Sequence, residues 1–272
     1  MHEFLGGTDV TFTTLALRQA RAAGLFRRRL SSYKQRRGAE PPPQPLPRDL
    51  EVKRPMDAAL ARRKMVENQL RTNRVTDEAL VQAFATIPRE RFVPPQKAGY
   101  AYVDEDLEVA HRRFLLEPMV LGRLIQALGI GPGDMVLDVA CATGYSTAVL
   151  GAIAGTVVAV EEDTELAQKA NESLNALSVD NAVVVHQPHA EGYSKQAPYD
   201  AILINGALPE VPQALFEQLA DGGRLAAVIK SVSGMGRATL FSKQGGLVGH
   251  RNLFDAGTPE LPGFARAPGF VF

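Results

Sequence analysis

The sequence predicts an α/β protein built on a mostly parallel, twisted sheet with helices on both faces and an antiparallel edge. Three observations carry that expectation. Apolar strand runs alternate with helical patterns of roughly 10–15 residues, the spacing of crossover connections between parallel strands. One such run, Val136–Val139, passes through a turn of small residues directly into a helical pattern. The chain has 272 residues, 45% hydrophobic and 22% charged, enough apolar material for a sizeable core.

Residues 1–55 read as an extension. Positions 1–54 hold 11 Lys/Arg against 5 Asp/Glu, while the remainder holds 19 against 25, so a net charge of zero conceals a basic tail on a mildly acidic body. The segment from Thr11 to Arg37 has eight basic residues and no acid, and the proline-rich AEPPPQPLPRDLEVKRP follows it. Such composition is expected to stay extended and unpacked, with a weak anionic partner as its functional option. Globular patterning starts at Met56, giving a 56–272 domain divided into a helical part, 56–130, and a sheet-forming part, 131–272.

In the helical part, MDAALARRKMVENQLRTN and TDEALVQAFATI carry apolar residues at helical spacing, with Thr76 as the expected N-cap of the second. EPMVLGRLIQALGI reads as a helix that stops before Gly131-Pro132-Gly133. Then DMVLDVA, TVVAVE, NAVVVHQ, YDAILIN and GGRLAAVIK read as strands. TGYSTAVLGAI, TELAQKANESLNAL and LPEVPQALFEQLA are the helices between them. RATLFSK and LVGHRNLFDA follow too closely for a crossover and are expected to pair antiparallel at one edge. The lone Cys141 excludes an internal disulfide and a multi-thiolate metal site, and suits a reducing, cytoplasmic compartment. No apolar run reaches the length of a membrane span.

The turn at Asp138-Val139-Ala140-Cys141-Ala142-Thr143-Gly144-Tyr145 aims backbone and a helix N-terminus at a ligand. Glu161, 23 residues after Asp138, closes the next strand, where a carboxylate accepts ribose hydroxyls. A dinucleotide site wants a glycine where Tyr145 stands, and no Gly-Lys-Ser/Thr follows for a triphosphate. Asp138 is a poor neighbour for pyrophosphate and a good one for a cation. The turn therefore favours S-adenosyl-L-methionine, a sulfonium and an ammonium on one nucleoside. The expected cofactor-binding residues are Asp138, Ala140, Ala142, Thr143, Gly144, Glu161, Glu162 and His189. Ala140 and Ala142 stand where glycine is the usual choice.

The stretch from Met56 to Lys230 resembles the protein-L-isoaspartate (D-aspartate) O-methyltransferase family. The resemblance rests on IPRERFVPP with Pro88, Arg89, Phe92, Val93 and Pro94, on AYVDEDLEV, on PGDMVLDVACATGYSTAVLG, and on APYDAILINGALPEVPQALFEQLADGGRL. It implies a Rossmann-like S-adenosylmethionine-dependent methyltransferase that methylates the α-carboxylate of isoaspartyl residues in damaged proteins, a repair activity. The family's substrate loop, Gly-His-Gly-Gln-Thr-Ile-Ser-Gln-Pro, reads here Ala110-His111-Arg112-Arg113-Phe114-Leu115-Leu116-Glu117-Pro118. His111 persists and is the expected catalytic-side residue together with Leu116, which stands in the serine's position without its hydroxyl. Arg112 and Arg113 suit an anionic acceptor, or belong to a solvated loop. The family's Gly-Asp-Gly reads Gln187-Pro188-His189, where His189 is either an adenine contact or an ordinary loop histidine. A protein or peptide carboxylate is thus the expected partner. Two alternatives stay open: a different acceptor, and a degenerate protein that keeps the fold without the chemistry.

Overall fold

The computed structural model describes residues 57–230 and 234–264; the 1–55 extension lies outside the described residues. Helix α1 (Ala58–Met65) starts at Asp57, whose carboxylate accepts the Leu60 amide, and runs into a π-turn over Val66–Leu70 and a 3-10 turn over Arg71–Asn73. Helix α2 (Glu78–Thr86) is capped by Asp77. The cap thus falls one residue after the expected Thr76, with the Asp77 carboxylate accepting the Leu80 amide at 3.0 Å. A small antiparallel hairpin follows, β1 (Leu107–Ala110) with β2 (Arg113–Leu115). Helix α3 (Pro118–Leu128) has proline at its first position and ends on Gly129 at φ 57°, the left-handed stop that glycine permits.

The sheet comprises β3 (Met135–Val139), β4 (Thr156–Glu161), β5 (Ala182–His186), β6 (Tyr199–Leu208), β7 (Leu219–Ile229), β8 (Gly236–Gln244) and β9 (Leu247–Ala256). Its order is β5-β4-β3-β6-β7-β8-β9. The first five strands are parallel, and β8 and β9 add the expected antiparallel edge. Helices α4 (Tyr145–Gly151), α5 (Thr164–Ala176) and α6 (Gln213–Glu217) lie in the connections. Helix α6 is much shorter than its sequence pattern, since Leu208 is drawn into β6 and Pro212 precedes the first helical residue.

Alternate residues of β3 serve opposite faces: Val136 packs in one apolar cluster, Leu137 and Val139 in the other. Burial on both sides explains why this strand reads as a continuous apolar run. From β3 the chain moves outward to β4 and β5, then returns to β6 on the other flank of β3. Strands β3 and β6 thus form the switch point of the sheet, where ligands of open parallel sheets bind beyond the carboxyl ends.

Candidate active site

Strand β3 delivers Asp138 to this switch point, fully buried. Its Oδ2 accepts the hydroxyls of Ser146 (2.8 Å) and Thr147 (2.7 Å) from the first turn of α4, and its Oδ1 accepts Asn205 Nδ2 from β6 at 2.6 Å. Burial nevertheless pushes this carboxyl up to about 6, against the pull of those three donors. Ser146 and Thr147 stand eight and nine residues after the acid, and the sequence expectation did not include them. Asn205 Nδ2 also donates to the Val139 carbonyl at 3.0 Å, tying β6 to β3 beside the acid.

The turn after β3 has the shape expected of it at a backbone cost. Ala140 and Ala142 adopt φ 62° and 51°, and Gly144 adopts 91°. L-residues in this region are strained by about 1–2 kcal/mol each, which glycine would avoid. Thr143 donates through Oγ1 to the Phe92 carbonyl at 2.6 Å, tying the turn to the Pro-Arg-x-x-Phe-Val-Pro segment. Cys141 is buried, and that burial holds its thiol protonated, as expected of a small apolar filler.

Glu161 ends β4 and is also fully buried. The Ala142 amide donates to its Oε2 at 2.8 Å and the Asp163 amide to its Oε1 at 3.1 Å. The Arg113 guanidinium from the β1–β2 hairpin grips both oxygens, Nη2 at 2.8 Å from Oε2, and donates a further bond to the Ala140 carbonyl at 3.1 Å. His189 Nε2 lies 3.2 Å from Oε1 and accepts the Glu162 amide at 3.1 Å. Burial works against the charge, but the bidentate Arg113 guanidinium, with His189 alongside, prevails and holds the Glu161 carboxyl down at about 2. The His189 ring lies parallel to Phe264, centroids 6.2 Å apart, and its Nδ1 is 3.3 Å from Glu162 Oε2 without hydrogen-bond geometry.

Three expectations need correction here. Arg113 is neither solvated nor free for an outside anion: it is buried against an internal carboxylate, whereas Arg112 stays exposed. Asp138 and Glu161 do not line one open crevice; the space beside the turn has shrunk to about 10 Å³, enclosed by Phe114, Leu116, Leu121, Ala140, Tyr145 and Asn205 among others. His111 sits exposed in the turn between β1 and β2, and is not brought to either carboxylate. Leu116 does reach the site: it is buried, its side chain lines the small cavity, and its carbonyl accepts Arg89 Nη2 at 2.8 Å. Arg89 itself is fully buried, stacked 4.8 Å from the Tyr145 ring centre, which makes it the anchor of this loop. A much larger cavity of about 690 Å³ opens against β8 and β9, but neither Asp138 nor Glu161 lines it.

Residues 61–255 match the family described as Protein-L-isoaspartate(D-aspartate) O-methyltransferase (PCMT). The chain belongs to this family. It is 40% identical over 173 residues to a protein-L-isoaspartate O-methyltransferase of Koribacter versatilis, covering 64% of this chain and 78% of that one. Among solved structures, a protein-L-isoaspartate O-methyltransferase superposes with a TM-score of 0.66 at 25% identity, covering 75% of this chain and 67% of the other. A Plasmodium falciparum structure described in the same terms and determined with S-adenosyl-L-homocysteine gives a TM-score of 0.62 at 20% identity, over 74% and 98% of the two chains, a likeness of fold. These solved structures thus share the fold of this chain. The donor set fits the nucleoside in kind, with a buried acid at each of two adjacent strand ends and a histidine nitrogen left without a partner beside them. The cavity beside the turn, by contrast, measures only about 10 Å³. Among the described residues no helix is long and apolar enough to cross a membrane, and no cluster of three metal-ligating side chains exists.

Proposed function

We propose that this chain is an S-adenosylmethionine-dependent carboxyl O-methyltransferase whose acceptor is an isoaspartyl carboxylate of a damaged protein, and that it works in the cytoplasm. The observation that carries the reading is the pair of buried acids, Asp138 and Glu161, flanking a left-handed turn at the switch point of a family sheet. Asp138, Ala140, Ala142, Thr143 and Gly144 would hold the amino-acid side of the cofactor, and Glu161, Glu162 and His189 its nucleoside side. When bound, the cofactor supplies an electrophilic methyl group on a sulfonium.

The chain's own residues then have a limited task. An acceptor carboxylate with an ordinary pKa near 4 is ionised at neutral pH, so no general base is needed. Catalysis consists of aligning the acceptor and excluding water. The apolar walls at Phe114, Leu116 and Tyr145 exclude water, and Arg89 fixes the Leu116 backbone that borders the acceptor.

One observation favours a second reading of the acceptor. Leu116 presents an isobutyl group where the family places a hydroxyl donor, and an unpaired acceptor oxygen there would cost about 1–3 kcal/mol. The test is methyl transfer from labelled cofactor to an isoaspartyl peptide, by the native chain and by Leu116→Ser. Transfer by the native chain supports the proposal. Transfer that appears only in Leu116→Ser overturns it and assigns the native chain another carboxylate.

A further inference from the structure

We propose that Arg113 is an internal stand-in for the cofactor's ribose: the β1–β2 hairpin closes the nucleoside side of the site, and the cofactor enters only by exchanging its hydroxyls for this guanidinium on Glu161. The inference rests on the methyltransferase reading above and adds to it a gate carried on the chain itself.

Capacity is the first argument. A carboxylate offers about four lone-pair positions. Glu161 already receives two guanidinium bonds and two backbone amides, with His189 alongside. A ribose diol has no acceptor left unless one of these donors leaves. The Ala142 and Asp163 amides belong to the turn and to the start of α5 and are fixed by the backbone. Arg113 is the donor on a separable element.

The hairpin's construction is the second argument. It is a two-stranded sheet of its own, four residues against three, hydrogen-bonded to no other strand among the described residues. Such ribbons have little intrinsic stability and are held by what they pack against. Arg112 at its turn adopts φ 56°, and Arg113 Nε is buried without a hydrogen-bond partner. The closed position is therefore imperfectly satisfied at the residue that locks it. Phe114, the next residue along the ribbon, lines the cavity of about 10 Å³ beside the turn, barely the volume of one water. Withdrawing the ribbon would vacate both the diol's partner and this space.

Charge makes the exchange feasible. Removing Arg113 alone would strand a buried anion, which is strongly unfavourable. S-adenosylmethionine brings a net positive charge of its own to the end of the sheet where Asp138 and Glu161 stand on adjacent strands, so one cation replaces another. The ion pair thus competes with ligand without leaving either end state uncompensated.

Calorimetry on the full chain with S-adenosyl-L-methionine, the cationic form the exchange requires, tests the gate, comparing native protein, Arg113→Gln and Arg113→Ala. Glutamine keeps a donor near Glu161 and guards against a fold lost to an unpaired acid. The expected result is binding at least about tenfold tighter in Arg113→Gln, because the closed state no longer depletes the competent one. Hydrogen exchange of residues 107–115 in the native chain should rise when the ligand binds. Equal or weaker binding by both variants overturns the gate while leaving the methyltransferase reading standing. Unchanged or slower exchange at 107–115 overturns it too. Absence of binding heat in all three proteins overturns the gate and the cofactor reading together.

Discussion

Acid titration of the folded chain separates its two buried carboxylates, because their environments displace them in opposite directions. Glu161 is held at about 2 against an ordinary 4.5, since His189 and Arg113 outweigh burial. A carboxyl lowered on folding contributes stability above its unfolded pKa and loses it as pH falls through the folded one. The displacement corresponds to about 3 kcal/mol, forfeited between pH 4.5 and 2. Asp138 is raised to about 6 from 3.8, chiefly by burial, despite Thr147, Ser146 and Asn205. Its ionised form therefore opposes folding above pH 6 by about 3 kcal/mol, and that opposition disappears as pH falls from 6 to 3.8. Glu117, pushed up to about 7 by burial and by Asp106 and Asp104, acts in the same sense. Stability measured by urea unfolding should thus rise from pH 7 to a maximum near 4.5 and then fall steeply towards pH 3. Asp138→Asn, which keeps the shape but cannot ionise, should lose about half of the rise, Glu117 supplying the remainder, and keep the fall. A native profile that declines monotonically from pH 7, or a rise fully retained in Asp138→Asn, would refute the reasoning.

Two further outcomes follow from packing and from the extent of the domain. Gly206 has φ 152°, and a methyl group there would collide with the Leu261 side chain laid across it. Gly206→Ala should therefore destabilise by about 1–3 kcal/mol through overpacking, lowering the thermal midpoint by roughly 2–4 °C per kcal/mol; an unchanged midpoint would contradict the arrangement. Deleting residues 1–55, which we propose to be an appendage to a 56–272 domain, should leave both the midpoint and binding of S-adenosyl-L-homocysteine unaltered. A large loss of either would make the extension part of the domain.

Much of the protein was legible in local pattern. Strand and helix periodicities along residues 131–256 fixed the order of elements, because a strand buried on both faces must read apolar throughout and a crossover helix must be amphipathic. The position of Asp138 and the 23-residue step to Glu161 follow from the same unit, since one strand, turn and helix determine where the next strand ends. What stayed hidden depends on partners far along the chain. Gln126, 50 residues from Thr76, accepts the Thr76 and Asp77 amides at the start of α2. Arg113 reached across 48 residues to Glu161, and no short-range spacing relates a hairpin arginine to a strand-end acid. Phe264, from beyond β9, lies beside His189. Sequence alone thus determined that two acids would stand at neighbouring strand ends around a strained turn. Only the tertiary structure decided that one of them is already spoken for, because a buried carboxylate must find its donors wherever the folded chain brings them.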